Sequence, residues 1–174
     1  MAIYFHCALL PLAPGSIICP GNWGRIIRLY RANDQGTYQI AFRERVLEDV
    51  RQTHFPDKPS RLASCFVLFT FTDAQFFRDN LQRLSIIYEV EPVLDPHITP
   101  HEGDYSLVGA VGAACYFDEQ KKLAMSYWGT PPQQRRELLL PVPIRILRCV
   151  DDLVSDLPGL RDGINASHPT VSST

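Results

Sequence analysis

The sequence predicts an α+β fold, and three observations support this. Segments rich in β-branched and aromatic residues occur near both ends and in the middle of the chain, with helical patterns between them. The 14 prolines and 10 glycines are many for a helical bundle and suit a sheet-rich fold with many turns. A doubly wound α/β fold would alternate more regularly and usually carries a G-x-G-x-x-G turn, which this sequence lacks.

Length and composition predict one domain that spans residues 1–164, followed by a Ser/Thr-rich tail over 165–174 that we expect to be disordered. The chain has 174 residues, of which 45% are apolar, so it can bury a full core. Its net charge of −2 argues against duplex nucleic acid as the partner, since that partner usually requires a basic face. The first residues lack a Sec signal and no stretch suits a membrane span, which favours a cytoplasmic protein or one exported by another route.

The first third of the chain predicts a strand, a loop and a helix. Residues 3–9 are short, aromatic and apolar, which indicates a strand with His6 at its centre. Prolines and glycines make 11–24 a loop, in which the apolar residues 17–19 can pair with a sheet edge. Residues 38–53 carry apolar side chains at helical spacing. We expect the solvated face of that helix to consist of its charged residues, namely Glu44, Arg45, Glu48, Asp49 and Arg51.

The middle of the chain predicts a buried strand, a helix and a second strand. Residues 64–71 form a nearly continuous apolar run, typical of a central strand that is buried on both faces. Thr72 and Gln75 match a capping box for a helix that continues to about residue 84. Residues 85–91 alternate as a half-buried strand does.

The last part of the chain predicts a loop over 93–103, a helix over 118–128 and a strand or strand pair over 138–150. Pro141 and Pro143 would restrict that last segment to a sheet edge or a bulge. Two short segments fit either a helix or an extended conformation: 104–108 and 113–117.

Three kinds of site receive little support. His6 and Cys7 are neighbours on one predicted strand, so their side chains face opposite ways and cannot form a nucleophile pair. No G-x-S-x-G elbow occurs. A divalent-ion site formed by His97, His101, Glu102 and Asp104 ranks last, because a solvated loop is the simpler interpretation. The widely spaced cysteines predict small, buried, reduced side chains: Cys7, Cys19, Cys65, Cys115 and Cys149.

A fourth constellation is more promising, because its members lie in or before predicted strands. These are His6, the Ser60–Arg61 pair and Glu137, which we expect to meet in one cleft. The planar fork of Arg61 suits a phosphate or pyrophosphate, and the His6 imidazole can bond a ribose hydroxyl. Glu137 can accept a bond from a ribose 2′-hydroxyl and stabilise positive charge on an oxocarbenium-like ribose.

Three stretches of the chain resemble bacterial ADP-ribosyltransferases, in particular the rifampin ADP-ribosyltransferases. Residues 5–21 (FHCALLPLAPGSIICPG) resemble the first strand and its Pro-Gly loop. Residues 66–74 (FVLFTFTDA) resemble the second strand with its following helix, and residues 87–92 (IYEVEP) resemble a later strand.

The resemblance implies a split β-sandwich with short helices around an NAD cleft. It also implies transfer of ADP-ribose, with release of nicotinamide, to a protein, nucleic acid or small-molecule acceptor. By position, the resemblance implies that Glu137 and His6 are the catalytic residues, with Glu137 as the acid and His6 in contact with the NAD ribose. It offers further NAD contacts at Ser60, Arg61, Phe69 and Tyr127.

Two departures from the family pattern leave an alternative open. The rifampin enzymes carry an aspartate at the late position, so Glu137 is closer to toxin-like members, which would suit an effector delivered into a host or target cell. The family's stacking tyrosine on the second strand is Leu68 here, and Phe66, Phe69 or Tyr127 would have to replace it. The alternative is a non-catalytic module on the same scaffold that binds a nucleotide or a protein.

Overall fold

The strands and helices of the computed structural model, which describes residues 2–93 and 99–151, confirm the α+β class. Their bounds in chain order are β1 Tyr4–Ala8, β2 Ile17–Ile18, α1 Asn22–Ile27, α2 Gln35–His54, β3 Cys65–Val67, α3 Phe71–Leu81, β4 Ile86–Pro92, β5 His101–Asp104, α4 Tyr105–Ala113, α5 Phe117–Gly129, β6 Arg136–Leu140 and β7 Ile144–Cys149. The predicted loop residue His97 and the predicted tail 165–174 lie outside the described residues.

The chain divides into two compact units, each assembled from separate segments. The first contains the described residues of Met1–Ile18, Leu68–Val93 and Ile144–Thr174. The second contains those of Cys19–Val67 and Leu94–Pro143.

The first unit contains a four-stranded antiparallel sheet in the order β1-β4-β7-β2, together with α3. The strands predicted over 3–9 and 85–91 are confirmed, and so is the pairing of the short β2 at a sheet edge. On β4, Ile87, Tyr88 and Val90 are fully buried, which anchors the middle of the sheet.

The apolar run 64–71 is not the central strand that the sequence predicts. Only Cys65–Val67 are in β3, at the edge of the other sheet, while Leu68 pairs with Phe5 and Phe71 already begins α3. Thr70 ends the extended segment because its hydroxyl accepts a bond from the Asp73 N–H (3.1 Å) and donates to the Asp73 carboxylate (2.6 Å). This Thr70–Asp73 pair replaces the predicted capping box at Thr72 and Gln75, and the helix ends at Leu81 rather than near residue 84.

The second unit contains a three-stranded antiparallel sheet in the order β3-β6-β5, and α2, α4 and α5 pack against one another beside it. Their apolar faces and Leu139 of β6 form one core, which consists of Val46, Leu47, Val50, Val108, Val111, Ala124, Tyr127, Trp128 and Leu139. The predicted helices over 38–53 and 118–128 are confirmed as α2 and α5. Within the described ranges, no helix combines the length and apolar character that a bilayer span requires.

Other sequence predictions for this unit need correction. The end of the predicted loop 93–103 is the strand β5, in which His101 is buried. Pro141 and Pro143 lie in the link between β6 and β7, which belong to different sheets, so these prolines mark a break rather than an edge or a bulge. Of the cysteines, Cys65 is buried as predicted, whereas Cys19 and Cys115 are exposed because both lie in connecting segments.

Candidate functional site

The Ser60–Arg61 pair is held at a fixed position by a single 3₁₀ turn, Arg61–Ala63, which begins after the proline-rich turn that ends α2. Ser60 caps this turn, because its Oγ accepts a bond from the Leu62 N–H at 3.2 Å. The same hydroxyl donates to Glu48 Oε2 at 2.8 Å, which ties the turn to α2.

Two glutamates of α2, which the sequence pattern places on the solvated face, are instead buried against this turn. Glu44 is 1% exposed and Glu48 is 8% exposed. They are four residues apart on one helical face, where two like charges repel unless cations compensate them. Arg61 Nε donates to Glu44 at 3.1 Å and Arg51 Nη2 donates to Glu48 at 2.8 Å, so each carboxylate has its own cation.

Arg61 also reaches Glu137 and Tyr127, and these contacts define the site. Its Nη1 donates to the Tyr127 hydroxyl at 2.6 Å and to Glu137 Oε1. The guanidinium carbon lies 4.9 Å from the centre of the Phe66 ring and 5.0 Å from that of Tyr127. Arg61 is therefore packed between aromatic side chains and shared by two carboxylates, those of Glu44 and Glu137.

Glu137 is the second residue of β6 and lies opposite Gly103 of β5. The missing side chain at Gly103 leaves room for Tyr127, since a Cβ built there would lie 2.5 Å from two atoms of the Tyr127 ring. The Tyr127 hydroxyl lies 2.9 Å from Glu137 Oε1. A glycine on one strand thus lets a helix residue reach the carboxylate of the neighbouring strand.

The charge states in this cluster follow from burial and pairing. Burial lowers the pKa of Arg61, but the carboxylates of Glu137 and Glu44 outweigh it and hold that pKa well above its ordinary value. Burial raises the pKa of the Tyr127 phenol far above its ordinary value, with Arg61 opposing it. Burial also raises the pKa of Glu44, yet Arg61 and Arg43 bring it below its ordinary value overall. Since Arg61 can only donate, the neutral Tyr127 hydroxyl accepts from Arg61 and donates to Glu137.

This arrangement engages one carboxylate oxygen of Glu137 and leaves the other available. Oε1 accepts hydrogen bonds from both Arg61 and Tyr127, whereas no described residue donates one to Oε2. The Glu137 side chain keeps 5% of its surface accessible, and that of Arg61 keeps 7%. A carboxylate held in this way can accept a hydrogen bond from a ligand hydroxyl or stabilise a developing positive charge beside it.

His101 of β5 also packs against the Tyr127 ring. Its imidazole stacks on Trp128 at 4.9 Å between ring centres and meets Tyr127 edge-on at 5.6 Å. Burial and the nearby Lys58 charge lower the pKa of His101 to about 4, so its ring is neutral near pH 7. Its Nε2 is buried without a hydrogen-bond partner among the described residues.

Among the described residues, no three potential metal ligands come together, and the metal hypothesis for the 97–104 segment stays a prediction because His97 is not one of them. Asp104 caps α4 and accepts backbone N–H bonds from residues 133, 134 and 135, at 2.8–3.1 Å. Glu102 is exposed and pairs with Arg136 at 2.9 Å. His97 lies outside the described residues.

The second unit contains four of the predicted site residues, of which Arg61, Tyr127 and Glu137 contact one another, while Ser60 precedes Arg61 and bonds Glu48. His6 and Phe69 belong to the first unit. There His6 lies opposite Tyr88 on β4, whose hydroxyl holds the loop after β1 by accepting from the Leu12 N–H at 2.9 Å. The ring of Phe69 packs edge-on against Tyr4 at 5.7 Å. A shared cleft for His6 and Glu137 stays a prediction.

Sequence reasoning missed Glu44 and Gly103. Glu44 occupies a charged position of an amphipathic helix, and its pattern is the same whether its partner is water or a buried arginine. Gly103 gave no signal, because the ring that needs its open space comes from a helix distant in sequence.

The comparison with protein families finds one match, which covers residues 24–152 of the 174. This span includes Ser60, Arg61, Tyr127 and Glu137 and begins after β1, which carries His6. No curated protein matches the chain. Because the match covers well over half of the sequence, the chain belongs to the DUF2441 family, described as a protein family of unknown function.

Proposed function

We propose that this protein is an NAD-dependent ADP-ribosyltransferase, which cleaves the bond between nicotinamide and ribose and transfers ADP-ribose to an acceptor. The observation that supports the proposal is the state of Glu137. Its carboxylate is fixed through Oε1 by Arg61 and Tyr127, while Oε2 has no partner among the described residues. The resemblance described above assigns a catalytic acid to this position.

The proposed chemistry requires one fixed negative charge beside the reacting ribose. Cleavage sends the bonding electron pair to the nicotinamide nitrogen and leaves positive charge at the ribose carbon, where an acceptor nucleophile then attacks and loses a proton. Glu137 would accept a hydrogen bond from the 2′-hydroxyl through Oε2 and stabilise the positive charge electrostatically. Because this carboxylate is already oriented, it would need little rearrangement when the charge develops.

Arg61 and Tyr127 would keep this environment constant with pH. The pKa of Arg61 and that of Tyr127 both lie well above their ordinary values, so the guanidinium stays charged and the phenol stays protonated near neutrality. The proposal assigns His6 of β1 a contact with the NAD ribose, which a His6 variant tests separately.

A second candidate is a non-catalytic module that binds a nucleotide or a protein. Two observations favour it. Leu68 stands at the position of the family's stacking tyrosine, and the charge of Glu137 is already balanced by Arg61. A buried carboxylate that is already paired also suits a purely structural role.

Nicotinamide release from NAD by the full chain distinguishes the two candidates. Glu137→Gln keeps the side-chain shape and removes the charge, so we expect a loss of at least about 100-fold in turnover with an unchanged circular dichroism spectrum. Glu102→Gln is the matched control, because this exposed glutamate lies on the neighbouring strand, where its side chain pairs with Arg136. A folded wild-type protein that neither binds nor consumes NAD with protein, nucleic-acid or small-molecule acceptors would leave the binding module as the better conclusion.

A further inference from the structure

We propose that Arg61 acts on Glu137 as a positioning residue, assisted by Tyr127, and is not a ligand for the phosphates of NAD. This inference rests on the proposed function and deepens it. It also revises the expectation from the sequence, in which the Arg61 fork binds a phosphate.

Two of the three guanidinium nitrogens of Arg61, Nε and Nη1, donate to protein groups. Nε donates to Glu44 at 3.1 Å, and Nη1 donates to the Tyr127 hydroxyl at 2.6 Å and to Glu137 Oε1. A guanidinium that binds phosphate usually presents two donors side by side to the ligand. Each side-by-side pair on this guanidinium includes Nε or Nη1, so a phosphate bound in that way would have to displace Glu44 or Glu137 and leave that buried carboxylate without its cation.

Glu44 holds the far side of the guanidinium. It is 1% exposed and lies on α2, which packs against α5, the helix that carries Tyr127. Because its carboxylate fixes Nε, rotation of Arg61 away from Glu137 would break this bond as well. The chain of bonds from Glu44 through Arg61 to Glu137 therefore fixes the Glu137 carboxylate of β6 relative to α2.

Tyr127 supplies the second bond that fixes Glu137. The phenol lies in the space above Gly103 and has no accessible surface, so its hydroxyl has little freedom to turn elsewhere. Two donors at Oε1, one from Arg61 and one from Tyr127, leave Oε2 as the oxygen that can meet a ligand. Tyr127 is thus a second positioning residue, not a surface on which nicotinamide stacks.

Steady-state kinetics of nicotinamide release separate positioning from phosphate binding. For Arg61→Lys and for Tyr127→Phe we expect kcat to fall about 10- to 100-fold, while KM for NAD stays within about twofold, because a misplaced carboxylate affects the transition state. Tyr127→Phe keeps the ring above Gly103 and so provides a test if Arg61→Lys does not fold. Arg136→Lys, an exposed neighbour of Glu137 on β6, should leave both constants unchanged.

Three outcomes decide between the possibilities. A fall in kcat at constant KM in either variant supports positioning. A KM for NAD that rises at least about tenfold at constant kcat in Arg61→Lys identifies a phosphate ligand and overturns this inference alone. A wild-type chain that releases no nicotinamide overturns the proposed function and this inference together.

Discussion

Gly103→Ala tests the geometry of the site without any assumption about its ligand. The glycine lies on β5 directly opposite Glu137, and the ring of Tyr127 covers it. An added Cβ would lie 2.5 Å from ring atoms Cε2 and Cζ and 2.6 Å from the hydroxyl. Carbon atoms pack at about 3.5–4.0 Å, so the ring would have to move by about 1 Å or more.

The expected destabilisation follows from what that movement disturbs. Tyr127 is fully buried and packs against Trp128 with ring centres 4.8 Å apart, so the core has little room to adjust. Overpacking of this kind reduces the free energy of unfolding by about 1–3 kcal/mol. Displacement of the hydroxyl from Glu137 and Arg61 adds about 1–3 kcal/mol for buried groups left without a partner. We therefore expect a total loss of about 2–6 kcal/mol.

Urea unfolding followed by tryptophan fluorescence measures this loss, since Trp128 contacts the displaced ring. Gly109→Ala is the matched control, because Gly109 lies inside α4 and a Cβ there meets nothing within 4 Å. In a helix this change should stabilise the protein by about 0.5–1 kcal/mol. If Gly103→Ala changes the free energy of unfolding by less than about 0.5 kcal/mol, the Tyr127 ring does not occupy the space beside Gly103.

Two further predictions concern stability. The pKa of His101 falls from about 6.5 in the unfolded chain to about 4 in the folded one, so the unfolded state binds more protons below pH 6.5 and stability decreases as the pH falls from 6.5 towards 4, by up to about 3 kcal/mol. His101→Gln should lower this pH dependence in urea titrations, and an unchanged slope between pH 6.5 and 5 would contradict the assignment. Glu44→Ala leaves Arg61 buried with one carboxylate fewer and should reduce the free energy of unfolding by about 3–5 kcal/mol. Asp49→Ala on the same helix removes an exposed pair and should change it by less than about 1 kcal/mol; equal effects of the two variants would disprove the burial argument.

The sequence correctly predicts the strands and helices that depend on residue spacing over a short stretch of the chain. The strands β1 and β4 and the helices α2 and α5 all follow from spacing within a few residues, and all are confirmed. The pattern does not show where an apolar run changes conformation. Residues 64–71 are apolar throughout, and the bond pair between Thr70 and Asp73 decides that a helix begins there. Likewise 138–150 reads as one segment, although its two strands join different sheets.

The sequence identified the candidate site residues but did not identify the side chains to which they are bonded. Ser60, Arg61, Tyr127 and Glu137 were all candidates, and the structure brings the last three into contact. The partners that explain their arrangement are non-local, since Arg61 bonds a carboxylate 17 residues away and another 76 residues away. Such pairings depend on how α2 and β6 pack, which local periodicity does not encode.

The energetics of the cluster are compatible with the proposed role in ligand chemistry. Removing charges from water is unfavourable, and replacing a buried ion pair with well-packed apolar side chains is often neutral or stabilising. Arg61, Glu44 and Glu137 therefore need not stabilise this fold more than apolar residues of similar size would. What apolar residues would not provide is an oriented carboxylate whose second oxygen is available to a ligand. The arrangement around Glu137 provides this, and for that reason the catalytic proposal begins there.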